Sequence, residues 1–146
     1  MEVRSKTGLS PKSGRSPMSW RSHEKGGLDV IKIEAIVRPD RINIVIDALG
    51  AVGCRGFNVQ NVNGRGQQQG VEVFTGRGAT THTRTSLPKA LITTVVAEAD
   101  KEKIIEAIVS AARSSEEGAI GDGKIFISPV TEVVRVRTGE RNEAAL

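Results

Sequence analysis

The sequence predicts an α+β fold of the ferredoxin-like class, ordered βαββαβ with a terminal strand and a long loop between the second and third strands. Three observations carry this: strict alternation at 30–37, apolar residues at helical spacing in 42–52 and 100–113, and an aperiodic glycine-rich stretch at 64–86.

Residues 30–37 (VIKIEAIV) place Ile31, Ile33, Ala35 and Val37 on one face and Lys32 and Glu34 on the other, the two-residue period of a strand. Pro39 stops it. Ile42, Val45, Ile46, Leu49 and Val52 then recur as one helical stripe, which Gly53 ends. Residues 56–63 read as the second strand, and 64–86 as a long loop, a feature that in compact domains usually carries function or disorder. Residues 90–97 (ALITTVVA) are apolar or Thr on both faces, so this strand expects cover on both sides. The helix at 100–113 puts Ile104, Ile105, Ile108 and Ala112 on one stripe with Glu102 and Glu106 opposite. SSEEGAIGDG is a turn region, and KIFIS and EVVRVRT read as two short closing strands. Because both helices of such a fold cover one sheet face, the second cover for 90–97 is expected from another copy of the chain.

Length and composition limit the function classes. The 146 residues make one ordinary domain, and with three Phe, one Trp and no Tyr the core must be aliphatic, which disfavours aromatic platforms for bases or sugars. Cys54 is the single cysteine, so neither a disulfide framework nor a thiolate zinc site is built, and a reducing compartment is expected. No run approaches the ~18 apolar residues of a membrane span. The net charge of +4 sits in residues 1–28, where six basic residues face Glu2 and Glu24; from Asp29 onward the signs balance. With six Ser, four Gly and two Pro, residues 1–28 read as a disordered basic tail, and 29–146 as the folded domain.

Three segments carry the chemical signal. Gly121-Asp122-Gly123-Lys124 enters a strand, and two glycines there let successive N–H groups face one point, an anion nest with a lysine beside it; an ordinary turn has the same composition. Arg135 and Arg137, two apart on a strand, would aim both guanidinium groups at one face, suited to a polyphosphate or simply to solvent. If the two segments build one site, Lys124, Arg135 and Arg137 converge on a nucleotide di- or triphosphate. The loop head, 64–70, alternates glycine with Arg65 and Gln67, Gln68 and Gln69, where glutamine can ligate Mg²⁺ or serve as plain loop. His82 and Cys54 lack the partners of a catalytic triad, so nothing points to an enzyme.

IEAIVRP near the start, Leu87-Pro88-Lys89 after the glycine-rich loop, IGDGKIFISPV, and RxRTGE nine residues beyond IGDGKIF together resemble the PII nitrogen-regulatory signal-transduction proteins over about residues 30–146. The resemblance implies a homotrimer with ATP or ADP in the clefts between neighbours. It places the nucleotide against Asn58, Gly66, Gln67, Gln68, Val95, Gly121, Asp122, Gly123, Lys124, Arg135 and Arg137. It implies that Gln68 ligates a Mg²⁺ shared by ATP and 2-oxoglutarate, and that Lys89 pairs with a carboxylate of 2-oxoglutarate. The flexible loop at about 64–88 becomes the surface that docks onto an ammonium channel or a nitrogen-assimilation enzyme or regulator, from the cytoplasm and without membrane insertion.

The departures from the family pattern favour an alternative. Gln67 and Gln69 stand where the family commonly has arginine and lysine, which fits a sensor of adenine nucleotides that does not answer to 2-oxoglutarate. Without Tyr the loop cannot be modified at a tyrosine. An ATP-hydrolysing enzyme would need a base for water, for which Asp122 is the one candidate in these segments, and nucleic-acid binding would rest on the tail's charge alone.

Overall fold

The computed structural model describes residues 30–66, 72–74, 81–83 and 86–146. The expected tail, 1–28, lies outside them, as do Gln67, Gln68 and Gln69. Strand β1 (Val30–Val37) has the bounds its alternation sets, and its odd-numbered residues Ile31, Ile33, Ala35 and Val37 are buried. Pro39 opens a 3₁₀ turn, Pro39–Arg41, that leads into α1 (Ile42–Ala51), and Gly53 ends that unit at φ +81°. Strand β2 (Phe57–Gly64) follows, then β5 (Leu87–Ala97), α2 (Lys101–Ala112) and β6 (Gly123–Pro129).

The sheet order is β2-β5-β1-β6, with every pairing antiparallel. The two most apolar strands, β5 and β1, take the centre, and β2 and β6 take the edges. Both helices lie on one face. Val45 and Leu49 of α1 and Ile104 and Ile108 of α2 close on Ile33, Val37 and Ile92 of the sheet, all essentially inaccessible. Each such side chain contributes about 1.5–3 kcal/mol of burial. Arg41 ties the two helices together: its Nε donates to the Ala111 carbonyl and its Nη2 to that of Arg113, satisfying acceptors that the end of α2 leaves open.

Two sequence expectations are corrected. The 64–86 stretch is not all loop, because it holds the short antiparallel strands β3 (Glu72–Phe74) and β4 (Thr81–Thr83). EVVRVRT is not a closing strand: among the described residues its one ladder contact is the Val134–Arg141 bridge, and the chain turns through residues 136–138. An alternating sequence becomes a sheet strand only where a neighbouring strand accepts its N–H groups, and here the backbone bonds back to the residues just after it, with Arg135 N–H donating to the Glu140 carbonyl and Asn142 N–H to that of Val133. Of the doubly apolar strand 90–97, one face is covered within the chain, and the other is the face for which cover by another copy is expected. Ala90, Ile92, Thr94 and Val96 are buried under the helices, while Leu91, Thr93 and Val95 remain half-exposed on the other side.

Candidate functional site

The GDGK segment is built from backbone strain and one carboxylate. Gly121 has φ +96° and Gly123 φ +135°, and a Cβ on Gly123 would stand 1.9 Å from the Ile36 carbonyl oxygen. Glycine is therefore obligatory where β6 begins beside Val37. Between the two glycines, Asp122 turns its side chain inward. It accepts the Ala119 N–H (2.8 Å), the Ser114 N–H (3.1 Å), the Ser114 hydroxyl (2.8 Å) and Arg38 Nε (3.1 Å). Burial, the largest single influence, opposes its ionisation. The two backbone N–H groups, the hydroxyl and the Arg38 guanidinium together outweigh it, and the carboxyl is lowered from 3.8 to about 2.

Two readings of this segment change accordingly. Asp122 is the clasp of the turn rather than a group aimed at a ligand, and its own N–H donates to the Ala119 carbonyl, so it is not one of a row of amides facing a single point. Arg38, which lies in the IEAIVRP segment but was given no role there, is the residue that sequence reasoning missed: it grips Asp122 and, through Nη2, the Ile120 carbonyl. The cue available was an arginine placed between the end of β1 and Pro39.

Around this clasp lies a cavity of about 550 Å³ walled by Gly64, Arg65, Gly66, Lys89, the Gly121–Lys124 turn and Phe126. Lys89 Nζ donates to the Gly121 carbonyl at 2.7 Å. Burial, with the Arg38 charge nearby, lowers the Lys89 pKa, only partly offset by Asp122 and Asp40. The predicted residues Gly66, Lys89, Gly121, Asp122, Gly123 and Lys124 thus come together, with three basic residues, Arg65, Lys89 and Lys124, in the lining.

Asn58 and Val95 lie elsewhere. Both line a second cavity, about 710 Å³, at the opposite end of β2 and β5, together with Gly56, Thr93, Lys103, Ala145 and Leu146. Buried Thr94 braces its floor by donating to the Gly56 carbonyl at 2.6 Å, with the Cys54 sulfur 3.4 Å from the same hydroxyl. Of the arginine pair, Arg135 is tied to this end. Arg135 Nη2 donates to the Leu146 main-chain oxygen, Arg135 Nη1 pairs with Glu140 at 2.6 Å, and Arg137 is exposed on the turn. The expected convergence of Lys124 with Arg135 and Arg137 does not occur within one chain. Lys89 and Val95 are six positions apart on β5, which at ~3.3 Å per residue sets the two clusters about 20 Å apart.

A four-stranded antiparallel sheet backed by two helices, with a glycine-strained basic turn at one end and a second cavity at the other, defines a ferredoxin-like domain. The family model "Nitrogen regulatory protein P-II" matches residues 30–140, and the chain belongs to that family. It is 46% identical over 116 residues to nitrogen regulatory protein P-II 2 of Methanothermobacter thermautotrophicus, covering 79% of this chain and 96% of the relative. It is 47% identical to the P-II protein of Cereibacter sphaeroides, over 79% and 98% of the two chains. The crystal structure of Arabidopsis thaliana PII bound to citrate superposes with a TM-score of 0.64 at 40% identity, over 81% of this chain and 92% of that one. The B. subtilis GlnK–ATP complex superposes with the same TM-score at 23% identity, over 82% and 100%, and shares the fold. No helix among the described residues is long and apolar enough to cross a membrane.

Proposed function

We propose that this chain is a homotrimeric PII-type signal-transduction protein, not an enzyme, that binds ATP or ADP between subunits and senses 2-oxoglutarate. One observation carries the reading: the two clusters of predicted nucleotide residues stand at opposite ends of the same sheet, so one ligand can touch both only if they come from different copies. The cluster of Gly66, Lys89, Lys124 and the Gly121–Gly123 turn from one subunit would face Asn58, Val95, Arg135 and Arg137 of its neighbour. The surface supports association, since Phe126 and Ile127 on edge strand β6 and Val134 and Val136 in the segment 132–138 are exposed apolar residues. Relatives of this fold have been crystallised with ATP and with citrate, a polycarboxylate as 2-oxoglutarate is. Gln68 would hold a Mg²⁺ shared by ATP and the oxo-acid, Lys89 would pair with the oxo-acid's carboxylate, and the residue 64–88 loop would act in the cytoplasm on an ammonium channel or a nitrogen-assimilation enzyme.

A second reading, an adenine-nucleotide sensor without the 2-oxoglutarate response, is favoured by Gln67 and Gln69 and by the hold of Lys89 on the Gly121 carbonyl. Subunit complementation tests the shared site. Lys124→Ala and Arg135→Ala should each weaken ATP binding about tenfold in calorimetry, the scale of one lost charge-assisted contact. Mixed trimers refolded from both variants should regain clefts of wild-type affinity. Mixtures that stay uniformly weak, or a monomer by light scattering, contradict the reading.

A further inference from the structure

The segment after Arg135 folds back on it. The Arg135 N–H donates to the Glu140 carbonyl at 2.9 Å and the Gly139 N–H returns to the Arg135 carbonyl at 2.8 Å. This closure sets one Glu140 carboxylate oxygen 2.6 Å from Arg135 Nη1, and the Thr138 hydroxyl donates to the same oxygen at 2.7 Å. The other amino group of Arg135, Nη2, donates to the Leu146 main-chain oxygen at 2.7 Å, and Ala145 and Leu146 stand in the wall of the Asn58–Val95 cavity. Both prongs of the guanidinium already hold oxygens, one of them anionic, and the planar fork that suits a phosphate suits this pair as well.

We propose that residues 138–146 are an intramolecular strap that competes with the nucleotide: Glu140 occupies Arg135 in place of a phosphate, Ala145 and Leu146 crowd the cavity beside it, and ligand binds by displacing them. The inference rests on the nucleotide site proposed above. A phosphate brings more charge to Arg135 than one carboxylate does, so exchange is favourable, yet every binding event must first break the pair. The strap therefore sets the nucleotide concentration at which the protein responds. Half-exposed ion pairs are weak, so relieving the competition should tighten ATP binding about two- to fivefold.

The test is calorimetric titration of ATP with Mg²⁺ into wild type, Arg135→Ala, Glu140→Gln and a chain ending at Arg141, which removes the Leu146 contact without touching a buried residue. Tighter binding by both Glu140→Gln and the shortened chain, with weaker binding by Arg135→Ala, is the expected result. If wild type binds ATP and Arg135→Ala weakens it, but neither other change tightens it, the strap is overturned and the nucleotide site stands. If wild type does not bind ATP, the site itself fails and the strap falls with it.

Discussion

Replacing Gly123 by alanine should unfold the entry to β6, and its magnitude follows from two terms. The backbone sits at φ +135°, where an L side chain is strained by about 1–3 kcal/mol. The new methyl would stand 1.9 Å from the Ile36 carbonyl oxygen, where real Cβ atoms do not come within 3.0 Å. Main chain, not a flexible side-chain tip, must move, so the Val37–Gly123 and Ile36–Lys124 pairs of the β1–β6 ladder are lost. Each broken ladder bond adds about 1 kcal/mol, for a total of about 3–5 kcal/mol, a large share of a domain's stability. Urea unfolding at one fixed protein concentration measures it, with Gly56→Ala as the control, since nothing lies within 4 Å of a Cβ there. The loss should appear as a lower midpoint with little change in slope. A Gly123→Ala protein within about 0.5 kcal/mol of wild type would refute the described path of the turn.

Other consequences of the structure are equally direct. Asp122→Asn should cost about 2–3 kcal/mol, because it discharges the partner of Arg38 and presents a donor to groups that are themselves donors. Since the folded Asp122 carboxyl titrates at about 2, below the ~3.9 of an unfolded aspartate, its contribution is full above about pH 5 and disappears as pH falls toward 2. Acid titrations of wild type should show that loss, and those of Asp122→Asn should show less of it. Thr94→Val keeps the shape but leaves the Gly56 carbonyl with only the long contact from the Cys54 thiol (3.9 Å), which should lower stability by about 1–2 kcal/mol in the same urea assay.

How far the sequence could be read depended on whether the determinants were local. Strand β1 was legible to the residue because each alternate side chain meets the core, and α1 because Pro39 and Gly53 bracket it. The hairpin of β3 and β4 was not, since three residues per strand are too few to show a period. The segment 132–138 alternates like a strand yet its backbone pairs only with the residues that follow it, 139–142, and joins no strand of the sheet among the described residues, so periodicity misled. In the site, glycine and lysine types announced the 121–124 turn, whereas Arg38 became visible only when the fold carried it across 84 residues to Asp122. That separation in sequence is why no spacing could reveal it. The opposite-end placement of Lys89 and Val95 was likewise hidden until β5 was known to run unbroken from Leu87 to Ala97.

The central claim, a PII-type sensor in which the oxo-acid reads the nucleotide state, is tested most directly by titrating 2-oxoglutarate into wild-type protein with saturating Mg²⁺ and either ATP or ADP. If Gln68 holds the metal and Lys89 the carboxylate, heat of binding should appear with ATP and Mg²⁺ together and vanish when ADP replaces ATP or Mg²⁺ is removed. By linkage, 2-oxoglutarate should tighten ATP by the same factor as ATP tightens 2-oxoglutarate, and Gln68→Ala or Lys89→Ala should abolish that coupling while leaving ADP affinity intact. A titration to millimolar 2-oxoglutarate that yields no heat and leaves ATP affinity unchanged would contradict the claim and leave a sensor of adenine nucleotides alone.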